Sequence, residues 1–410
     1  MQLIEKIKKT RVTPLKIFDY MITLLIILNT HSVFSVSVGK NYNLKILLVM
    51  FLLFRIATLI VGNSVIYGNL ILFITIWTSY ILLLVIINPV NISDFITKFY
   101  VILILLVIYF TLLPTKDILR IYPNIVFIIA IISLFFWVFG SLLNIVHPTG
   151  VMHIFWGNER FAGSYFNIYF QWQNDIPILG KYIYRNIGIF GEGPMYSLNL
   201  SIAFLLDYLI NDNKSKFRYM VYILTIISTI STTGILLVAI AVAYKLVFSK
   251  MSRNNIIKVL IIAPIAALFL YLIARKLISQ KLETASGSTR IDDYIAGFKA
   301  WRVHPLFGSG FNNIELRQHF SSPVRLRRSA TGFTNSIMSV LINGGMYFFA
   351  SYLVTFFYWI KKGTIFKDKN ITVVICLIIY LFLTTTFENT AVMLAIMAYT
   401  IANMITTNRN

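Results

Sequence analysis

The sequence predicts an all-α, polytopic integral membrane protein with about 12 transmembrane helices. Three observations carry this. Hydrophobic residues make up 58% of the chain and charged residues only 12%, too little polar surface for a water-facing domain of 410 residues. Apolar windows of about 17–25 residues, the length that crosses a bilayer core, recur along the whole chain. The basic residues, 36 against 15 acidic ones, concentrate between those windows.

In order, the windows fall at 18–36, 44–61, 65–88, 95–114, 121–146, 194–211, 217–232, 234–249, 257–276, 334–360, 371–387 and 389–406. The opening stretch MQLIEKIKKTRVTPLKIFDYM is basic and runs into the first window, as a signal peptide would. No A-x-A cleavage site follows, so it reads as a retained first span. With the N-terminus inside, the cytoplasmic segments hold Lys6, Lys8, Lys9 and Arg11, then Lys116 and Arg120. Lys214, Lys216 and Arg218 follow, then Lys245, Lys250, Arg253 and Lys258, then Lys361, Lys362, Lys367 and Lys369, with Arg409 at the end. The short outer loops at 89–94 and around Glu388 carry no Lys or Arg, and 37–43 carries only Lys40. The positive-inside rule is satisfied with both termini cytoplasmic. The chain is thus one integral membrane domain, 1–410, with two long extracytoplasmic loops at 147–193 and 277–333.

A net charge of +21 raises the question of nucleic acid, but no basic soluble domain exists to bind it. The single Cys376 lies within an apolar run, which leaves no disulfide framework and no cysteine metal site. Arg55 lies inside the second span toward its inner end, where snorkelling explains it. His31 and His147 read as structural; His153, His304 and His319 are external imidazoles, so each is a candidate proton acceptor.

The first long loop is aromatic: Trp156, Phe161, Tyr165, Phe166, Tyr169, Phe170, Trp172, Tyr182 and Tyr184. Residence in the headgroup belt accounts for much of this, and stacking on sugars is the functional alternative, with Tyr184 a substrate-binding candidate. The loop ends RNIGIFGEGP, placing Arg185 and Glu192 just before a span whose first turn holds Pro194. The helix dipole favours a carboxylate at Glu192; Arg185 has no such local reason and meets either lipid phosphate or a ligand.

In the second long loop, GSTRIDDYIAGFKAWRVHPLFGSGF, Thr289 and Asp292 fit a capping box and start a short interfacial amphipathic helix. Ile291, Ile295, Phe298 and Arg302 share one face, and Pro305 ends the helix. Arg290 then stands in the first turn, where the dipole disfavours a cation, and a nearby anion would justify it. Asp292 and Asp293 form a weak metal signal, since capping explains one of them. GSGFNN at 308–313 lacks the ending of a P-loop and reads as a turn. Arg325, Arg327 and Arg328 either meet headgroups or clamp a pyrophosphate.

These stretches together resemble a family. RNIGIFGEGPMYSLNLSIAFL, then STISTTGILL, then STRIDDYIAGFKAWRVHPLFGSGFNNIE and TGFTNSIMSVLINGGMYFF are similar in order and placement to the O-antigen polymerase and O-antigen ligase superfamily. The resemblance covers about Arg185 to Phe348. It implies a metal-independent, inverting membrane glycosyltransferase of the GT-C-like class, without cofactor, whose donor is a glycan on undecaprenyl pyrophosphate. Arg185 and Arg290 fall where the family has phosphate-binding arginines. Where the family has His-Asn opening a span, this chain reads Thr334-Asn335, which weakens a ligase reading and leaves the base to Glu192, His304 or His319.

The expectation is therefore a Wzy-type polymerase of capsule, exopolysaccharide or O-antigen, with catalytic Arg185, Arg290, Glu192, His304 and His319. Arg325, Arg327, Arg328, Asn335, Asp292 and Tyr184 are expected to bind substrate. The expected partners are the undecaprenyl-pyrophosphate-linked oligosaccharide, the bilayer and a chain-length regulator protein, with no nucleic acid. The expected location is the bacterial plasma membrane, with the active site extracytoplasmic. A ligase and a lipid-linked oligosaccharide flippase are the rivals; the absence of repeated halves and of charge deep in the spans disfavours the flippase.

Overall fold

The structure is a computed structural model that describes residues 14–39, 43–62, 68–88, 92–113, 117–156, 158–173, 176–178, 181–211, 213, 215–248, 285–311, 313–327 and 332–407. The span expected at 257–276 and Arg328 lie outside the described residues. The apolar windows form helices: α1 Pro14–Leu28, α2 Leu44–Gly62, α3 Gly68–Ile87, α4 Ile92–Phe95, α5 Val101–Leu112 and α6 Ile118–Phe136. After the first long loop come α7 Gly193–Leu205, α8 Lys216–Ser228 and α9 Thr232–Phe248, and after the second α13 Ser336–Ile365, α14 Lys369–Thr384 and α15 Ala391–Thr407. The second loop itself holds α10 Ala285–Trp301, α11 Ile314–Phe320 and α12 Pro323–Arg327.

Among the described residues four helical segments are long and apolar enough to cross a bilayer by themselves: Leu44–Val61, Gly68–Ile87, Ile118–Leu142 and Ser336–Ile365. On α3, Ile71, Leu72, Ile76, Leu82, Leu83 and Ile86 are exposed. Apolar exposure on this scale is expected only where the solvent is lipid. This is a helical membrane protein. At its centre α5 packs against α15 and α2, so segments far apart in sequence share one core.

Several polar groups inside the bundle are paired. Pro123 in α6 cannot donate to Leu119 O, and Asn211 Nδ2 fills that vacancy at 2.8 Å. Arg55 corrects the snorkelling reading: it is buried, and its guanidinium meets Asp19 Oδ1 at 2.8 Å and Oδ2 at 3.2 Å, with Tyr109 donating to Asp19 Oδ1 at 2.8 Å. A paired ion is tolerated in this interior where a lone one is not.

The first helix stops at Leu28, short of the expected 36. Thr30 Oγ1 and Ser32 Oγ donate back to the carbonyls of Ile26 and Leu28, and His31 takes a left-handed φ of 54°. The chain then runs as an edge against the first long loop. That loop is the main departure from an all-α fold. Strands β1 Gly150–Trp156, β2 Asn158–Tyr165 and β3 Tyr169–Gln171 form an antiparallel sheet, and β4 Ile176–Ile178 pairs with β5 Lys181–Ile183. Met152, Ile154, Ala162 and Phe170 bury one face against Val33 and Ile187. The headgroup-belt reading fails for Tyr165, Tyr169 and Phe170, which are fully buried: Phe170 packs in the sheet's core, while Tyr165 and Tyr169 cluster with Phe136.

The GSGFNN segment is a turn, as read, and it docks into a break in α13. Gly345 there has φ 67° and ψ −164°, and Ser309 N–H donates to Ile342 O at 2.7 Å while Met346 N–H donates to Pro305 O at 2.9 Å. A Cβ on Gly345 would lie 2.3 Å from Leu306 O. Gly345→Ala should therefore cost about 1–3 kcal/mol in backbone strain alone, and more from the clash. A half-life of the detergent-solubilised variant at elevated temperature equal to that of the wild type would contradict this.

Candidate functional site

The site lies where the two long loops meet the ends of α7, α9 and α13. Glu192 is the N-cap residue of α7, in extended conformation, yet its carboxylate caps no backbone N–H of that helix. Instead Trp156 Nε1 donates to Glu192 Oε2 at 3.0 Å, tying the sheet to the helix start. Burial pushes the Glu192 carboxyl above the usual range, while the Trp156 hydrogen bond and the charges of Arg185 and Arg290 oppose the shift. Both arginines thus lie within electrostatic reach of one carboxyl, although 105 positions separate them in sequence (290 − 185).

Arg185 is held by the loop that closes α8. Its Nε donates to Thr229 O at 2.9 Å and its Nη2 to Ile230 O at 3.2 Å. Thr229 is the C-cap of α8, so the cation sits at the negative end of that helix. The approach depends on Gly193, where an added Cβ would lie 2.8 Å from Thr229 O and 3.1 Å from Arg185 Nε. Gln173 sets the frame: its carbonyl accepts from Arg185 N–H at 2.8 Å and its Oε1 from Gly193 N–H at 3.0 Å. Tyr184 reaches this frame through its carbonyl, which accepts from Trp137 Nε1 at 2.8 Å.

The helix carrying Arg290 begins at Ala285, a turn earlier than the Thr289–Asp292 capping box predicts. Arg290 is therefore not a first-turn residue, and the dipole argument for an anion there falls. A different observation takes its place: Arg290 Nε is buried with no hydrogen-bond partner among the described residues. Its charge also acts on Tyr294, whose hydroxyl donates to Leu383 O at 2.5 Å. Along the same helix Ala296, Gly297 and Ala300 pack inward while Ile291, Ile295 and Phe298 point out, as an interfacial helix requires.

Asp293 and Arg325 form a buried latch. Thr334 donates to Asp293 Oδ2 through its N–H at 2.8 Å and its hydroxyl at 2.6 Å, and Arg325 Nη1 donates to Oδ1. Arg325 Nη2 donates to Gly332 O. Two residues expected to bind substrate have protein partners here. Arg325 is 3% exposed and engaged with Asp293, so it does not offer a free pyrophosphate clamp. Asp292 accepts from Ser322 N–H at 3.2 Å and holds the start of α12 rather than a substrate. Arg327 is the last residue of α12.

Thr334, standing where a histidine was expected, is the partner that fixes α10 to the start of α13. Asn335 is that helix's N-cap: its Oδ1 accepts from Met338 N–H at 3.0 Å, and its buried Nδ2 has no partner among the described residues. His304 and His319 are both exposed, on the turn after α10 and on α11. Among the described residues no hydrogen bond or ion pair joins either to Arg185, Glu192 or Arg290, so the geometry does not assemble them with the carboxyl. His153 pairs instead with Glu159 at 3.4 Å and stacks on Phe161.

Sequence reasoning missed Glu388. It lies between α14 and α15, 4% exposed, with Ser339 donating to Oε1 at 2.5 Å and Oε2 left without a partner among the described residues. Burial pushes this carboxyl up as well, opposed by Ser339. Its one signal was an acid in a short loop free of Lys and Arg.

Residues 219–353, which hold α8 to α12, the latch and the first half of α13, match the family model described as O-antigen ligase. Over this segment, about a third of the chain, the protein is similar to the O-antigen ligase family. A search of the curated proteins finds none that matches. The superfamily is one of membrane enzymes acting on lipid-linked oligosaccharides. The matched segment includes Arg290 and Asn335, while Arg185 and Glu192 precede it.

Proposed function

We propose that this protein is a polysaccharide polymerase that joins oligosaccharide repeat units carried on undecaprenyl pyrophosphate, at the outer face of the plasma membrane. What supports the reading is the convergence of two guanidinium groups on a buried carboxyl, Glu192, at the start of α7. A hydroxyl of the incoming repeat attacks the anomeric carbon of the growing chain from the face opposite the lipid. The new C–O bond forms as the anomeric C–O bond to phosphate breaks, and configuration inverts. The lipid diphosphate leaves with the bonding electrons, and the hydroxyl proton passes to Glu192.

Arg290 stabilises the charge that develops on the leaving diphosphate, as guanidinium does for oxyanions. Arg185, anchored at the end of α8, supplies the second positive charge. The desolvated carboxyl of Glu192 is a stronger base than a solvated one, which suits a hydroxyl acceptor. The Thr334-for-His exchange favours this reading over a ligase, since Thr334 is engaged with Asp293.

The test uses purified protein in lipid nanodiscs with its lipid-linked repeat unit, with and without EDTA, and products sized on a gel. A ladder spaced by one repeat and unchanged by EDTA is expected. A single transfer to a different acceptor, with no ladder, would establish the ligase instead.

A further inference from the structure

We propose that Arg317 is an oxyanion-binding residue that, with Arg290, holds the phosphates of a polyprenyl diphosphate donor. This rests on the donor assigned above. The second loop carries many cations, and geometry divides them. Arg325 is buried and bonded to Asp293 and Gly332. Arg317, on α11, lies over the ring of Phe333 with its guanidinium carbon 4.9 Å from the centroid. The Arg325 guanidinium flanks the same ring at 5.8 Å.

Among the described residues the Arg317 guanidinium makes no hydrogen bond and no ion pair, although it is half-buried. A guanidinium has five N–H donors in a planar fork, and stacking on a ring face satisfies none of them. The aromatic contact holds the plane and leaves the edge to a ligand. Burial and the neighbouring Arg325 charge pull the Arg317 pKa down to about 10, with Asp293 opposing. A bound oxyanion would relieve both effects, and nothing in the latch does so, because Asp293 is already saturated by Thr334 and Arg325.

Arg290 has the matching property one turn away. It stands three residues before Asp293 on α10, and positions three apart lie on the same side of a helix. Its Nε is buried and unpartnered among the described residues. Arg290 thus stands one helical turn from Asp293 on α10, and Arg317 lies within electrostatic reach of the same saturated carboxylate. A diphosphate has two such oxyanions; a single anionic lipid headgroup offers one. Both share the phosphate chemistry, so the experiment must separate them.

The full-length protein in nanodiscs is titrated with undecaprenyl diphosphate, in discs of phosphatidylcholine alone and in discs containing one third phosphatidylglycerol. Wild type, Arg317→Ala, Arg317→Gln, Arg317→Lys and Arg290→Ala are compared, with thermal unfolding run on each to confirm the fold. In neutral discs Arg317→Ala and Arg317→Gln should weaken binding at least tenfold, and Arg317→Lys less. Undecaprenyl monophosphate should lose most of the dependence on Arg317. If the Arg317 variants match wild type while Arg290→Ala loses binding, the inference fails and the donor assignment stands. If Arg317 matters only through competition by phosphatidylglycerol, the residue serves the lipid surface and the proposal is overturned. If wild type binds no diphosphate in either disc, the donor assignment and this inference fall together.

Discussion

Replacing Arg290 by alanine should lower the rate of glycosyl transfer about 10²–10³-fold, the effect of removing one preorganised group that stabilises transition-state oxyanion charge. The fall should appear in the rate of the bound complex as well as in donor affinity, because charge on the bridging oxygen grows as the anomeric bond breaks. Arg290→Lys should recover only part of the loss, since an ammonium keeps the charge without the planar fork. The fold should survive. Arg290 Nε makes no hydrogen bond to the described residues, and the latch that fixes α10 runs through Asp293, Thr334 and Arg325. Asp293→Ala is the useful contrast, because it leaves buried Arg325 only the more distant carboxylate of Asp292 at 3.6 Å, and breaking a buried pair costs about 3–5 kcal/mol. Single-turnover transfer and thermal unfolding measured side by side separate the two. A stable Arg290→Ala protein with wild-type turnover would remove Arg290 from the chemistry.

What sequence reading reached follows from the range of the signals involved. Membrane-length apolar runs are local, so the helices at 44–62, 68–87 and 369–384 appear close to where hydropathy puts them. The helix start just after Arg185 and Glu192 was legible for a similar reason: a short motif ending at a proline marks it. The sheet in the first loop was hidden because its strands carry many aromatics, which serve a membrane interface equally well. Only pairing tells the two apart, as where His153 lies opposite Phe161 across β1 and β2. The α10 start was misplaced because Thr289 and Asp292 satisfy a capping pattern that the real helix, beginning at Ala285, does not use.

The latch was beyond reach for a different reason. Asp293, Arg325 and Thr334 are brought together across 41 positions by tertiary folding, and no local pattern announces that. It gives protein partners to two residues that the sequence marked as ligand-binding. Arg325 looked like a member of a cationic cluster, and Asp292 like half of a metal pair, until their partners were visible. Conversely Arg317 was one cation among many until the structure showed it stacked and unpaired among the described residues.

Glutamine at Glu192 should give the other large effect, a fall in transfer of about 10²–10⁴-fold, the usual contribution of a positioned proton acceptor. Glutamine is isosteric, and its amide oxygen can still accept from Trp156 Nε1, so the link between sheet and α7 should persist. The pH dependence distinguishes a base from a strut. Burial raises the Glu192 pKa above that of a solvated carboxylate, so the wild-type rate should fall with acid at a pH higher than an ordinary carboxylate would give, and this limb should vanish in Glu192→Gln. Stability should move the other way. In the interval above the unfolded pKa and below the folded one, the native protein holds a proton that the unfolded chain has lost, so native stability declines as pH rises through it. Glu192→Gln removes that decline: the variant should unfold at a higher temperature than wild type at pH 8, and at the same temperature once pH falls below the ordinary carboxylate range. A variant that is slower but not more stable at pH 8 would mean Glu192 is held ionised by Arg185 and Arg290 more strongly than burial opposes. If the acid limb survives in Glu192→Gln and disappears in Glu388→Gln, the proton acceptor is Glu388, the other buried carboxyl with an unpartnered oxygen among the described residues.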